Sequence, residues 1–229
     1  MRYTISILIF FGHLHLICQT RQSFEGKITY KISIELKDNI PTEYSTILRD
    51  KFGDTMVSYH SSIGTIKRVF LNTASDGYGY DYQIYSHKEN RFYSKDRAKD
   101  TLYYFNATFN SIKLKNVETQ SNYSDIILDQ PVKSIIYTGI SLADSQLVTI
   151  TYKYSGTPYI NPKLYLQWKD FFTNEFFQES KSPYLEYILD TQIFTIKVQA
   201  IDIKEQDVDN TIFHVPNTLY VKEVNPLEK

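Results

Sequence analysis

From Phe24 to Lys37 apolar and polar residues alternate along the chain. Phe24, Ile28, Tyr30, Ile32, Ile34 and Leu36 share one parity, while Glu25, Lys27, Thr29, Lys31, Ser33, Glu35 and Lys37 take the other. Period-two alternation over this length predicts a strand with one dry and one wet face. At about 3.3 Å per residue it spans about 40 Å, far more than an average strand. Further strands are predicted over 54–60, 63–71, 78–85, 91–95, 101–106, 111–118, 132–142, 146–155, 184–190 and 193–203. Turn-compatible clusters separate them, among them Ser61-Ser62, Ala74-Ser75-Asp76-Gly77, Lys88-Glu89-Asn90 and Ala143-Asp144-Ser145. In the last strand Phe194, Ile196, Val198 and Ala200 share a face, and then the parity slips to Ile201 and Ile203. A β-bulge near Ala200 accounts for the slip, and bulges bend sheets.

Two stretches follow a helical period. Over 41–52, Ile40, Tyr44, Ile47, Leu48 and Phe52 fall on one face, with Pro41 at the start and Gly53 at the end. The second opens on Asn161-Pro162, a capping residue followed by proline, and then Leu164, Trp168, Phe172 and Phe176 recur every four residues. The predicted fold class is therefore mostly β with some α: one strongly curved antiparallel sheet, with about two helices covering its concave face.

Met1 to Cys18 reads as a secretory signal peptide, with Arg2 at its start and an apolar centre from Ile5 to Phe11. Cleavage after Cys18 removes the single cysteine and leaves residues 19–229 as one domain; the competing reading makes Cys18 a lipid-modified residue. No second apolar segment is long enough to span a bilayer. The chain is expected to be exported, in the periplasm or associated with an outer membrane. The 25 basic and 26 acidic residues give a net charge of −1, which argues against a nucleic-acid partner. The 20 tyrosines and 14 phenylalanines fit either an aromatic-lined ligand site or plain strand propensity.

Motifs for chemistry are weak. Gly77-Tyr78-Gly79-Tyr80-Asp81-Tyr82 lacks the third glycine and the helix of a dinucleotide loop, and reads instead as a row of Tyr78, Tyr80 and Tyr82 on one strand face. Asp207-Val208-Asp209-Asn210 starts like a calcium loop, but Ile212 stands where glycine is required. His60, His87 and His214 form no close-spaced metal pair, and no nucleophile elbow is present. The mixed-charge run Lys88 to Asp100 reads as a solvated hairpin, the alternative being contact with acidic lipid headgroups. The chain is accordingly read as a non-enzyme without metal or cofactor, although scattered carboxylates leave a split hydrolase pair open.

In the order of its elements the chain resembles the secreted Bacteroidetes-type proteins of the LolA/LolB-like half-barrel lipid-carrier superfamily. The residues carrying the likeness are Phe24 to Tyr30, Asn161-Pro162 before the aromatic stretch, Ala200 to Lys204, and Ile212 to Pro216. The resemblance implies a half-barrel sheet whose concave face is covered by helices, with acyl chains held between. On that reading Trp168, Phe171, Phe172 and Phe176 form a lid, and Tyr30, Ile32, Tyr152 and Tyr154 form a floor. The partner is then a lipid or other hydrophobic small molecule. The alternative is an envelope module with a solid core that docks another protein.

Overall fold

The computed structural model describes residues 21–228, so the leader and Cys18 lie outside the described residues. The strands are β1 (Gly26–Leu36), β2 (Thr55–His60), β3 (Ile66–Leu71), β4 (Tyr80–Ser86), β5 (Arg91–Asp96), β6 (Thr101–Asn106), β7 (Ile112–Ile127), β8 (Gln130–Ser141), β9 (Leu147–Tyr154), β10 (Glu186–Asp190), β11 (Phe194–Glu205) and β12 (Tyr220–Glu223). Two α-helices accompany them, α1 (Glu43–Phe52) and α2 (Thr173–Ser180). All the strands belong to one open sheet in the order β12-β6-β5-β4-β3-β2-β1-β11-β10-β9-β8-β7. Neighbours are antiparallel except β12, which runs parallel to β6. The sheet is thus mixed rather than purely antiparallel. The alternation misses β12 because it is a four-residue strand, exposed throughout, held only by its edge pairing.

The β1 alternation behaves as its parity dictates: Ile28, Tyr30, Ile32 and Ile34 are buried in the main core. The bulge lies where the parity slip puts it. Thr29 pairs with Asp202 and Tyr30 with Ala200, leaving Ile201 as the extra residue, 52% exposed. A second register shift corrects the tyrosine row. Tyr80 opposes Asp96 and Tyr82 opposes Lys95, so Asp81 is extra and the two tyrosines face opposite sides. Tyr80 joins the main core, Tyr82 joins a smaller cluster with Ile84, Tyr93 and Leu102, and Tyr78 is exposed. That smaller cluster lies on the reverse of the sheet, since the adjacent residues Tyr85 and Phe92 belong to the main core. Val215 and Leu219 from the C-terminal segment cover it, and Lys67 Nζ donates to the Ile212 carbonyl at 2.8 Å.

Helix α1 covers less than its stripe suggests. Leu48 and Phe52 pack on the core, Phe52 edge-on to Phe70 and Tyr80, but Tyr44 and Ile47 are exposed. The second helical stretch is not one helix. A 3₁₀ turn at Pro162–Tyr165 starts with Asn161 capping the Lys163 amide, a second runs Asp170–Phe172, and α2 follows. Phe171 and Phe172 both adopt left-handed backbone, with φ of 56° and 58°. This conformation is costly for bulky residues.

Candidate functional site

The segment 160–185 covers the core-facing side of the sheet and is tied down along its length. The Phe24 amide donates to the Tyr159 carbonyl and the Ile160 amide to the Lys181 carbonyl. Tyr85 Oη donates to the Leu164 carbonyl at 3.1 Å. Gly64 permits the close approach at this end, because its φ is +91° and a Cβ there would sit 2.7 Å from Leu164 Cβ. In the middle, the Lys169 amide donates to the Ala107 carbonyl, and Asp170 accepts from the Ser111 amide and hydroxyl at 3.1 and 2.6 Å. Burial raises the Asp170 carboxyl above its ordinary range, and the Ser111 bonds oppose that shift.

The helix break decides which rings meet. An unbroken helix would send Trp168, Phe172 and Phe176 to the same side. Instead Trp168 stacks on Tyr85 of β4 at 4.7 Å and tilts against Phe92 of β5 at 5.6 Å. Phe172 stacks on Tyr137 of β8 at 5.1 Å, and Phe176 on Tyr152 of β9 at 4.4 Å. The segment bridges two separate parts of the sheet.

All eight residues expected from the sequence lie in or against the main core, and most of them touch one another. Phe176 meets Tyr152 and Tyr154, Tyr152 Oη donates to the Phe171 carbonyl at 2.9 Å, and Tyr30 reaches the others through Tyr184. Trp168 joins Phe176 through Phe177. Desolvation holds the Tyr30 and Tyr152 hydroxyls protonated far above the usual tyrosine range. Ile32, buried in the same core, also borders a cleft of about 490 Å³ between β1 and α1 whose lining includes Lys31, Glu35, Arg49, Asp50 and Asp54.

At the break the packing opens. A pocket of about 200 Å³ is lined by Ile112, Val148, Phe171, Leu189, Ile193 and Phe194, with Ser111 and Gln146 among its polar groups. Gln146 Oε1 is buried there without a hydrogen-bond partner. Of the two openings, this smaller one has the apolar lining that a hydrophobic ligand needs.

Sequence reasoning missed a polar row on the core-facing side. Ser58, Arg68, Gln83 and Ser94 pair directly across β2, β3, β4 and β5. The signal for it was present, since Arg68 shares the parity of Ile66 and Phe70, both buried. The buried carboxylate Glu186 contacts Lys153 and Lys197 at 2.8 and 2.7 Å, and Lys153 also holds Asp125 at 2.6 Å, so the two carboxylates near one another are bridged by a lysine in an ion-pair network. Among the described residues no group of three or more His, Cys, Asp or Glu is placed to hold a metal ion, and no helix is long and apolar enough to cross a membrane. Comparison with protein-family models gives no match, and a search of the curated proteins finds none with significant sequence similarity.

Proposed function

We propose that the protein is an exported binding protein that holds a lipid or other hydrophobic molecule between a half-barrel sheet and the aromatic segment 160–185. Chain length supports strong curvature. β6 and β7 are second and last in the sheet order, yet only residues 107–111 join them. In a flat sheet strands ten places apart would be separated by about 48 Å, whereas the chain from Asn106 to Ile112 reaches at most about 22 Å. A sheet curled on itself around the aromatic segment meets that limit.

The observation that carries the reading is the apolar pocket beside Phe171, where two consecutive bulky residues of the covering segment adopt left-handed backbone. A ligand chain entering there would displace Phe171 and continue along the rings of Phe172 and Phe176. The leader and the LolA/LolB-like order of elements agree with a periplasmic or outer-membrane-associated carrier. Native mass spectrometry of protein purified from cells should show bound lipid, and a fluorescent fatty acid should bind and compete with it. Ligand-free protein that also ignores the fluorescent probe would overturn the reading. A partner-docking role is the second reading, favoured by Tyr44 and Ile47 on α1, which are 49% and 58% exposed. Loss of a co-purifying envelope protein on Tyr44→Ser/Ile47→Ser, with lipid content unchanged, would favour that role.

A further inference from the structure

Arg68 is a cation with no anion. It projects from the middle of β3 to the core-facing side, and its Cζ lies 4.8 Å from the centre of the Trp168 ring. Among the described residues no carboxylate comes within ion-pair range of it, and its Nε is buried without a hydrogen-bond partner. Its charge acts on buried groups from several directions: Tyr30 on β1, His60 on β2, Tyr152 on β9, Tyr187 on β10, and Asp170 of the covering segment. Its parity with the buried Ile66 and Phe70, and its contact with Trp168, place the guanidinium on the core-facing side against the covering segment.

Two polar groups of the same surface are unsatisfied as well: Ser94, in the same cross-strand row with Gln83 between, and His60, diagonal to Arg68 on β2. Ser94, 5% exposed, has a buried hydroxyl without a partner. His60, 3% exposed, bonds Ser58 Oγ through Nε2 at 3.1 Å, but its Nδ1 has no partner. Buried polar atoms in folded proteins are nearly always hydrogen-bonded, so a cation with an orphaned Nε and two further orphans on the same surface mark a place where a polar group belongs. Burial and the Arg68 charge depress the His60 pKa to about 3, so no second cation competes for the incoming group. The flanks of the row are aromatic: Tyr85, Phe92 and Trp168 on one side, Phe70, Tyr80 and Phe52 on the other. A charged head set between apolar walls is the signature of an amphiphile.

We propose that Arg68, with His60 diagonal to it and Ser94 farther along its row, binds the acidic head, carboxylate or phosphate, of an acyl ligand whose tail lies along the aromatic segment. This rests on the carrier reading above and specifies its ligand class as anionic.

The test is binding of cis-parinaric acid and its uncharged methyl ester to the full chain, read by energy transfer from Trp168, the single tryptophan. The acid should bind about 10-fold or more tightly than the ester, as a charge-assisted hydrogen bond predicts. Arg68→Met should abolish that preference and leave ester affinity unchanged, while Arg68→Lys should keep part of it. If Arg68→Met loses its melting transition, Ser94→Ala serves instead and should weaken the acid about 3-fold with the ester unaffected. Equal binding of acid and ester by the wild-type protein, or a preference that survives Arg68→Met, would overturn the proposal and leave the row as a water-filled structural feature. Competition by micromolar inorganic phosphate would overturn the acyl part, leaving a free-anion site. Binding of neither probe would instead remove the carrier reading, and the head-group site with it.

Discussion

The β8–β10 side of the core-facing surface and its β2–β5 side are built from opposite chemistry. On the first side Tyr137, Tyr152, Phe172 and Phe176 stack ring on ring, and the Tyr152 hydroxyl is satisfied by the Phe171 carbonyl. On the second, Arg68, His60 and Ser94 interrupt the aromatic lining and leave Nε, Nδ1 and Oγ without partners. The same covering segment touches both. Each side leaves buried polar atoms unpaired, Gln146 Oε1 beside β9 among them, but only on the second does a row of polar side chains carrying a cation cross the aromatic lining. The contrast separates an anchor for the segment from the region proposed above as a binding site.

Removing the anchor should have the largest effect. Phe176 is fully buried and stacked 4.4 Å from Tyr152, so Phe176→Ala should lower unfolding free energy by about 3–5 kcal/mol, measured by urea denaturation. A loss under about 1 kcal/mol would mean that the stack is not the anchor. Next comes acid sensitivity of the polar side. His60 titrates near 6.5 when unfolded and about 3 when folded, so its stabilisation is complete above pH 6.5 and is lost as pH falls from there toward 3. At one pKa unit per about 1.4 kcal/mol, the protein should be about 2 kcal/mol less stable at pH 5 than at pH 7.5 from this group alone, and His60→Gln should flatten that slope. Smaller again is Tyr152→Phe, expected to destabilise by about 1 kcal/mol through the orphaned Phe171 carbonyl while also loosening the strained turn, seen as faster amide exchange at Phe171 and Phe172. Smallest is Arg68→Met. Because the guanidinium lacks an anion, its loss should change stability by less than about 1 kcal/mol, in either direction, despite its central place. A loss of about 3 kcal/mol or more on that substitution would make Arg68 structural and erase the contrast.

Much of the strand framework was legible because a half-buried strand writes its faces into alternate residues. β1 and β9 bury the very positions their alternation marks, and the bulge at Ile201 was visible as a slip in parity. The tyrosine row failed for the same reason in reverse: the extra residue Asp81 flips Tyr82 to the other side, and Tyr78-Tyr80-Tyr82 carries no apolar slip to reveal it. The second helix misled because the four-residue recurrence of Trp168, Phe172 and Phe176 reports that all three are buried, not that they are buried on one side.

The sequence alone determined which positions are dry, where the strands run, and that an aromatic segment must cover them, since periodicity and burial are local consequences of backbone geometry. Only the tertiary structure decided what that segment touches. The left-handed turn at Phe171 and Phe172 divides its rings between β4–β5 and β8–β9, and cross-strand register assembles Ser58, Arg68, Gln83 and Ser94 into one row. Register and backbone handedness are settled by contacts between residues far apart in the chain, and no local pattern records them.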